Sequence, residues 1–262
     1  MSPGAFTVAA PVVVDRSDWG RIRVTGDDRV RFLQGVTTVN IEALADGAHA
    51  WGAMLSPKGR VLSIVQATVA GDSVVLACEP SLTDKTRGLL DKYAVMDDVT
   101  FEPLVGPAHQ VWVDAASVWT SPVLGVAGDG ARPADDLAVE LLRIRGGFLR
   151  YGADVDEDHF PFETPIGQFL DYEKGCYIGQ EPVFRVHAQG NTARTLRGLE
   201  IDGGAPVADG TALDAPAKGV VTSSVAAGDR VIALAYCHRT SWEPGATVTV
   251  GGRTATIREL PF

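Results

Sequence analysis

The stretch EKGCYIGQEPVFR, residues 173–185, places one of the chain's three cysteines between two glycines and close to a lysine. An ammonium such as that of Lys174, two residues from Cys176, favours the thiolate, which is the nucleophilic and metal-binding form of cysteine. Gly175 and Gly179 permit unusual backbone angles, so the stretch predicts an exposed bend. A second interpretation stays open, because a free cysteine is often a small, buried apolar residue.

The same stretch carries polar side chains that can orient a ligand. Pro182 suits the first turn of a helix, which predicts that a helix follows the bend. The donors and acceptors beside it are Glu173, Lys174, Tyr177, Gln180, Glu181 and Arg185. We therefore expect a site for a polar ligand at the bend.

The composition of the whole chain is that of an ordinary globular protein. Hydrophobic residues make up 45% and charged residues 21% of 262 residues, which suits one large domain or two to three compact ones. The longest apolar stretches fall short of the roughly 20 residues that span a bilayer. The N-terminus has no basic region before its short apolar run. We expect a cytoplasmic protein with no membrane partner.

Charge and residue spacing narrow the functional classes. A formal net charge of −10 repels a phosphate backbone, so we expect no nucleic-acid partner. The three cysteines, Cys78, Cys176 and Cys237, are too widely spaced for a Cys-x-x-Cys site. The acidic run DVDEDHF, residues 154–160, matches no metal-binding spacing. We interpret it as a solvated loop and expect no metal ligands.

Several segments have clear secondary-structure patterns. Residues 61–69 and 74–77 predict a β-hairpin, and leucines at helical spacing predict a helix at 82–93. Residues 120–136, rich in Gly, Pro and Asp, predict a linker or surface loop. After residue 190, short β segments separated by Gly and Pro favour a small closed or nearly closed barrel.

The bend also carries a specific signature. The pattern K-G-C-[YF]-x-G-Q-E is matched by Lys174, Gly175, Cys176, Tyr177, Gly179, Gln180 and Glu181, and Arg185 follows. In this the chain resembles the folate-binding YgfZ family, relatives of the glycine cleavage T protein, an aminomethyltransferase. The resemblance continues through FLQGVTT (32–38), MLSPKGRVL (54–62), KYAVMDDV (92–99) and LLRIRGGFLRYGADVDED (141–158).

The resemblance implies an α+β fold. It has two interleaved α/β domains with ferredoxin-like layers and a C-terminal antiparallel β-barrel around a central cavity. Combined with the sequence patterns, it predicts a discontinuous first domain, residues 1–47 with 137–190, and a second domain at 48–119. The linker follows at 120–136, and the barrel comprises 191–262.

The resemblance also implies a function: assembly or repair of iron–sulfur clusters, with tetrahydrofolate or a derivative as the bound cofactor. Iron–sulfur client or assembly proteins would be the partners. Cys176 would be the functional thiol, with Lys174 assisting it. The expected ligand-binding residues are Gly175, Tyr177, Gly179, Gln180, Glu181, Arg185, Arg145, Thr38, Asn40 and Met54.

This chain departs from the T protein at three polar positions. Ser63 and Ile64 stand where that enzyme carries its catalytic acid, and a hydroxyl without a nearby base cannot take over a proton transfer. Arg145 stands where a glutamate pairs with the pterin ring, and a guanidinium offers only donors. Asn40 replaces another acid. We therefore do not expect aminomethyl transfer by the usual route.

Two alternative functions remain open from the sequence. The first is a tetrahydrofolate-dependent one-carbon transferase, moving an aminomethyl or methyl group, with a modified pocket. The second is a non-catalytic binding module for another anion, anchored by Arg145. A basic cluster of Lys174, Arg185, Arg194 and Arg197 either attracts a folate glutamate tail or is a solvated rim.

Overall fold

A computed structural model describes residues 11–123, 132–190 and 192–262. The helices are α1 Arg29–Val36, α2 Thr83–Tyr93, α3 Ser117–Thr120, α4 Asp136–Gly146 and α5 Gln180–Gln189. The strands are β1 Val12–Asp15, β2 Gly20–Thr25, β3 His49–Leu55, β4 Val61–Ala70, β5 Ser73–Cys78, β6 Thr100–Pro103, β7 His109–Trp112, β8 Arg132–Pro133, β9 Arg194–Asp202, β10 Gly219–Ala227, β11 Arg230–His238, β12 Thr247–Val250 and β13 Arg253–Arg258. Most of the predicted linker, residues 124–131, lies outside the described residues.

The central sheet is antiparallel, in the order β3-β4-β5-β2-β6. Side chains alternate across a strand, so β3 buries residues on both faces. Met54 joins one apolar cluster, with α1, while Trp51 and Ala53 join a second cluster on the other face. The predicted hairpin is confirmed, with β4 and β5 joined by the turn at Gly71. A sheet covered on both faces is the support for the site described below.

The C-terminal sheet is also antiparallel, in the order β10-β11-β9-β13-β12. Its two edge strands are linked through adjacent residues, because Ala212 bridges to Val220 in β10 and Leu213 bridges to Val250 in β12. The interior between them is apolar, with Leu199, Val231 and other fully buried residues. The sheet is therefore nearly closed, and a glycine turn at residues 251–252 joins β12 and β13.

A third, small sheet has the order β7-β1-β8, in which β1 is antiparallel to β7 and parallel to β8. The predicted domain boundaries stay a prediction. The strand pairing shows only that segments far apart in the chain share sheets, since β2 pairs with both β5 and β6. Among the described helices, none has the length and apolar character needed to cross a membrane.

Aromatic rings fill the region where the central sheet, α3 and α4 meet. Trp51 packs edge-on against Trp119 and Phe148, with ring centroids 5.4 and 5.2 Å away. Trp19 and Phe169 extend the group on either side. Edge-to-face aromatic pairs add about 0.5–1.5 kcal/mol each beyond the area they bury. This group is a major part of the core that holds the sheets together.

The acidic run at residues 154–160 is only partly a solvated loop. Glu157 and Asp158 are exposed, as predicted, but Asp154 is fully buried. Its carboxylate accepts hydrogen bonds from Arg143 Nη1 (2.7 Å), the Arg150 backbone N–H (3.0 Å) and the hydroxyls of Thr222 and Ser223 (both 2.6 Å). The prediction is wrong for Asp154 because these donors compensate its burial.

We expect Asp154→Asn to lower the free energy of unfolding by about 3 kcal/mol, because the amide nitrogen of asparagine donates and cannot accept, so buried donors around it lose their acceptor. Urea denaturation followed by circular dichroism measures this change. Asp158→Asn, at an exposed position of the same loop, is the matched control and should alter stability by less than about 0.5 kcal/mol. Equal losses in the two variants would contradict the role given to Asp154.

Candidate functional site

The candidate site is built on residues 171–179, which we call the cysteine loop. It runs from the end of a 3-10 helix, Pro165–Phe169, to the start of α5. Cys176 is exposed in this loop, whereas Cys78 and Cys237 are buried. Burial raises the pKa of each of the two buried thiols to about 11. Cys176 is thus the accessible thiol of the three, and the sequence's alternative of a buried cysteine is wrong.

Lys174 anchors the cysteine loop to the segment after α1. Its side chain is buried, with 6% exposed. Its ammonium donates to the backbone carbonyls of Thr37 (2.7 Å) and Val39 (2.5 Å). Burial lowers the pKa of Lys174 to about 8, against the opposing effect of Asp171 and Glu42. The assistance that Lys174 was predicted to give the thiol stays a prediction.

Asp171 is a second anchor, and sequence analysis missed it. Its Oδ2 accepts from Asn40 Nδ2 (2.6 Å), and its Oδ1 accepts from the backbone N–H groups of Glu173 (2.8 Å) and Lys174 (3.0 Å). The bond from Asn40 is the largest cause that lowers the pKa of Asp171. An Asp that begins such a turn is a recognisable signal, because its side chain often bonds the backbone two residues ahead.

Asn40 cannot ionise, but its side chain is held by two neighbours, Asp171 and Gln34. Gln34 Nε2 donates to its Oδ1 (3.0 Å), and Gln34 Oε1 accepts from the backbone N–H of Ile41 (2.8 Å). This chain of bonds ties α1, the segment after it and the cysteine loop together. Asn40 lies beside the cysteine loop, and its carboxylate partner comes from 131 positions away. Its predicted role in ligand binding stays a prediction.

The far end of the loop is fixed by close backbone packing. Gly179 has φ of +81°, and a Cβ there would lie 2.4 Å from Ser56 O. Only glycine fits such a position without movement of the turn that follows β3. The Ile178 N–H also donates to Gly35 O (3.0 Å). The structure thus brings the segments FLQGVTT and MLSPKG against the cysteine loop.

Three further predicted residues are part of this packing. Thr38 Oγ1 accepts from the Ala53 N–H (2.9 Å), and both Thr38 and Met54 are buried. Tyr177 is buried with its ring 5.0 Å from Lys174 Nζ, a cation–π contact. Burial raises its pKa to about 12, and its hydroxyl has no hydrogen-bond partner among the described residues. These buried residues pack in the interior that holds the cysteine loop in place.

Helix α5 begins immediately after the loop, as the position of Pro182 predicts. Glu181 and Arg185 form an exposed ion pair one turn apart (2.6 Å), which contributes only about 0.3–0.5 kcal/mol. Gly175 is exposed and Gln180 half-buried at the two ends of the Cys176 segment. These residues leave the surface around the thiol open and polar.

The remaining predicted residues lie on other elements. Arg145 is in the last turn of α4, where its carbonyl accepts from the Phe262 N–H (3.0 Å). Ser63 is buried, and its hydroxyl is 2.7 Å from that of Thr86. The predicted basic cluster is dispersed, since Arg194 pairs with Glu163, Arg197 donates to Trp242 O and Lys174 is internal.

The chain is similar in sequence to several known proteins. No model of a known protein family matches the chain. It is 30% identical over 205 residues to a protein named tRNA-modifying protein YgfZ from Hamiltonella defensa, covering 75% of this chain and 54% of that one. It is 28% identical to the Yersinia pestis protein of the same name, covering 70% of this chain and 69% of the relative. A putative chloroplastic transferase of Arabidopsis thaliana is 24% identical, over 96% of this chain and 71% of the relative.

The fold has a solved counterpart. The glycine cleavage system aminomethyltransferase T from Bartonella henselae superposes with a TM-score of 0.80 at 18% identity, covering 98% of this chain and 87% of that one. These findings place the chain in a YgfZ/GcvT-like family. The family and the α+β fold class predicted from the cysteine signature are therefore confirmed. In this YgfZ/GcvT-like chain, the signature residues build the anchored loop described above.

The depressed pKa of Lys174 predicts how stability depends on pH. The unfolded chain, with a lysine pKa of 10.5, holds this proton more tightly than the folded chain, with a pKa of about 8. This group's contribution to the free energy of unfolding therefore rises between those two pH values. We expect wild type to gain up to about 3 kcal/mol relative to Lys174→Met across that interval.

Urea denaturation of both proteins, at a pH below about 8 and again near 10.5, measures this difference. Lys58→Met, at an exposed lysine of the turn after β3, controls for the loss of a lysine charge. Its pH dependence should match that of wild type. Parallel curves for wild type and Lys174→Met would show that folding does not lower the pKa of Lys174.

Proposed function

We propose that this protein is a YgfZ-type accessory protein that acts in the cytoplasm on the assembly or repair of iron–sulfur clusters, with Cys176 as its functional thiol. The observation that carries the proposal is the exposure of Cys176 in a loop whose neighbouring side chains, Lys174 and Tyr177, are buried. A thiol held out on a fixed loop is accessible to a partner protein and has a defined position.

The chemistry of clusters requires such a partner. Iron–sulfur clusters are held by several cysteine thiolates, typically four. Cys176 is one thiol, and Cys78 and Cys237 are buried away from solvent. Cys176 therefore acts together with groups of an iron–sulfur client or assembly protein rather than holding a cluster alone.

Relatives named tRNA-modifying proteins suggest where such clients act. This chain carries a formal net charge of −10, which disfavours direct binding of a polyanion. We propose that a role in tRNA modification passes through a protein client that binds the tRNA. Direct binding of tRNA is not part of the proposal.

We further propose tetrahydrofolate or a derivative as the small-molecule ligand, although its site differs from that of the T protein. The donor edge of a pterin needs an acceptor, and the guanidinium of Arg145 has none. Arg145 does not fit the role of the pterin-pairing glutamate. We therefore propose no chemical step on folate, and the action proposed for the thiol of Cys176 does not depend on one. The transferase alternative is less well supported, because Ser63 stands at the acid position with its hydroxyl beside Thr86.

The role of Cys176 can be tested in the producing cell. We expect deletion of the gene to lower the activities of several iron–sulfur enzymes, and we expect the Cys176→Ala protein to fail to restore them. Cys237→Ala, at a buried thiol, should restore them to the level given by wild type. Thiol titration of the folded proteins should show one rapidly reacting group in wild type and none in Cys176→Ala. Full restoration by Cys176→Ala, or a deletion without effect, would overturn the proposal.

The fit of the folate ligand can be tested at Arg145. We expect Arg145→Glu to bind tetrahydrofolate about tenfold more tightly than wild type, because the substitution restores an acceptor for the pterin. Fluorescence titration of wild type, Arg145→Glu and Arg145→Gln measures the affinities. Weaker binding by Arg145→Glu would contradict this expectation and favour the second alternative, in which Arg145 anchors an anion.

A further inference from the structure

A separate cleft lies between the end of β5, the loop after β1 and α4. Its volume is about 220 Å³, and its walls include Arg16, Glu79, Trp19, Val139 and Leu149. Pockets for drug-sized ligands are larger, at roughly 300–1,000 Å³. At about 30 Å³ per water, the cleft has room for roughly seven water molecules. It is suited to a small metabolite and too small for a folate.

Arg16 is held in place on one wall of this cleft. Its guanidinium carbon lies 4.5 Å from the ring centre of Trp19, 5.1 Å from that of Trp112 and 5.5 Å from that of Phe148. Its Nε donates to Gln110 Oε1 (2.9 Å), which is its one side-chain hydrogen bond within the described residues. Burial lowers the pKa of Arg16 to about 10. Its terminal nitrogens are thus positioned but lack an acceptor from the described chain.

Glu79 presents the opposite charge in the same cleft. Its Oε2 accepts from the Tyr151 N–H (3.0 Å), which fixes the carboxylate and leaves Oε1 for another donor. Burial raises the pKa of Glu79, partly offset by that hydrogen bond and by the nearby Arg16. Among the ion pairs of the described residues, none joins Arg16 to Glu79 within 4.0 Å. The two charges influence each other without contact.

The other charged groups of the cleft are already paired. Arg143 binds Glu140 and Asp154, and Arg150 binds Glu140. Arg16 and Glu79 are therefore the groups whose charges a bound molecule would match. A partly buried cation and anion that do not meet favour a ligand that carries both charges.

We propose that this cleft binds a free α-amino acid, with its carboxylate on Arg16 and its ammonium on Glu79. A guanidinium forms paired hydrogen bonds with a carboxylate, and a carboxylate accepts from an ammonium. Val139 and Leu149 give the side chain of the amino acid an apolar wall. The volume of the cleft limits the ligand to small and medium-sized amino acids.

This site is independent of the cysteine loop and of Arg145. Arg143 lines the cleft, and Arg145 follows two residues later on the same helix, about 200° around its axis. The cysteine loop packs instead against the turn after β3 and the segment after α1. Amino-acid binding would therefore persist in a Cys176→Ala protein, and its failure would leave the proposal for Cys176 untouched.

Isothermal titration calorimetry with a panel of common L-amino acids at millimolar concentration tests the proposal. L-valine can be compared with isobutylamine, which lacks the carboxylate, and with isovalerate, which lacks the ammonium. We expect at least one amino acid of the panel to bind and each single-charge analogue of that amino acid to bind at least about tenfold more weakly. Binding of none, or equal binding of the analogues, would overturn the proposal.

Protein variants locate the site. Glu79→Gln keeps the shape and an acceptor for the Tyr151 N–H but removes the charge. Arg16→Gln removes the cation and shortens the side chain. We expect each to weaken amino-acid binding at least about tenfold, whereas Arg23→Gln, at an exposed arginine of β2, should bind as wild type does. If Arg16→Gln does not fold, Arg16→Lys and Glu79→Gln decide the question. Unchanged affinity in a folded Glu79→Gln protein would refute the assignment.

Discussion

The buried carboxylate of Asp154 is the constraint on which the assembly of this fold depends. It accepts bonds from α4, from the loop after α4 and from two hydroxyls of β10, so it joins α4 and its loop to a strand 68 to 69 positions further along the chain. The Tyr236 hydroxyl adds a bond from β11 to the backbone carbonyl of the same residue (2.8 Å). An uncompensated carboxylate in this position would be strongly unfavourable. The C-terminal sheet must therefore dock in one orientation, in which every one of these donors is in reach.

The cysteine loop follows the same physical rule on a smaller scale. A buried ammonium is tolerated at Lys174 because two backbone carbonyls accept its hydrogen bonds. The carboxylate of Asp171, which is only half-buried, accepts from Asn40 and two N–H groups. These interior bonds leave Cys176 little freedom of position, although its side chain faces solvent. The hydrogen bonds of Lys174 and Asp171 thus hold the loop in place. A partner would contact the exposed Cys176 rather than these bonds.

The three departures from the T protein have different structural consequences. Ser63 is packed beside Thr86 in the interior, which removes a carboxylate without leaving a vacant polar partner. Asn40 donates to Asp171, so a carboxylate lies beside Asn40 although this residue cannot ionise. Arg145 changes the sign of the charge at the end of α4. Because a shared fold does not fix a function, the likeness to an aminomethyltransferase shows the architecture of this chain alone.

The sequence by itself determined the family, the α+β class, the hairpins and the exposed bend at Cys176. These depend on local patterns, such as the apolar runs of β4 and β5 and the glycine at 179, where a positive φ is required. The tertiary structure alone decided which charges are buried and which residues they meet. Asp154 is buried although the acidic run predicts a solvated loop, and Asp171 meets Asn40 from 131 positions away. Arg16 and Glu79 lie in the same cleft although 63 positions separate them. The physical reason is that a periodic pattern specifies which face of a strand is buried, whereas the partner of a polar group depends on the order in which strands and helices pack.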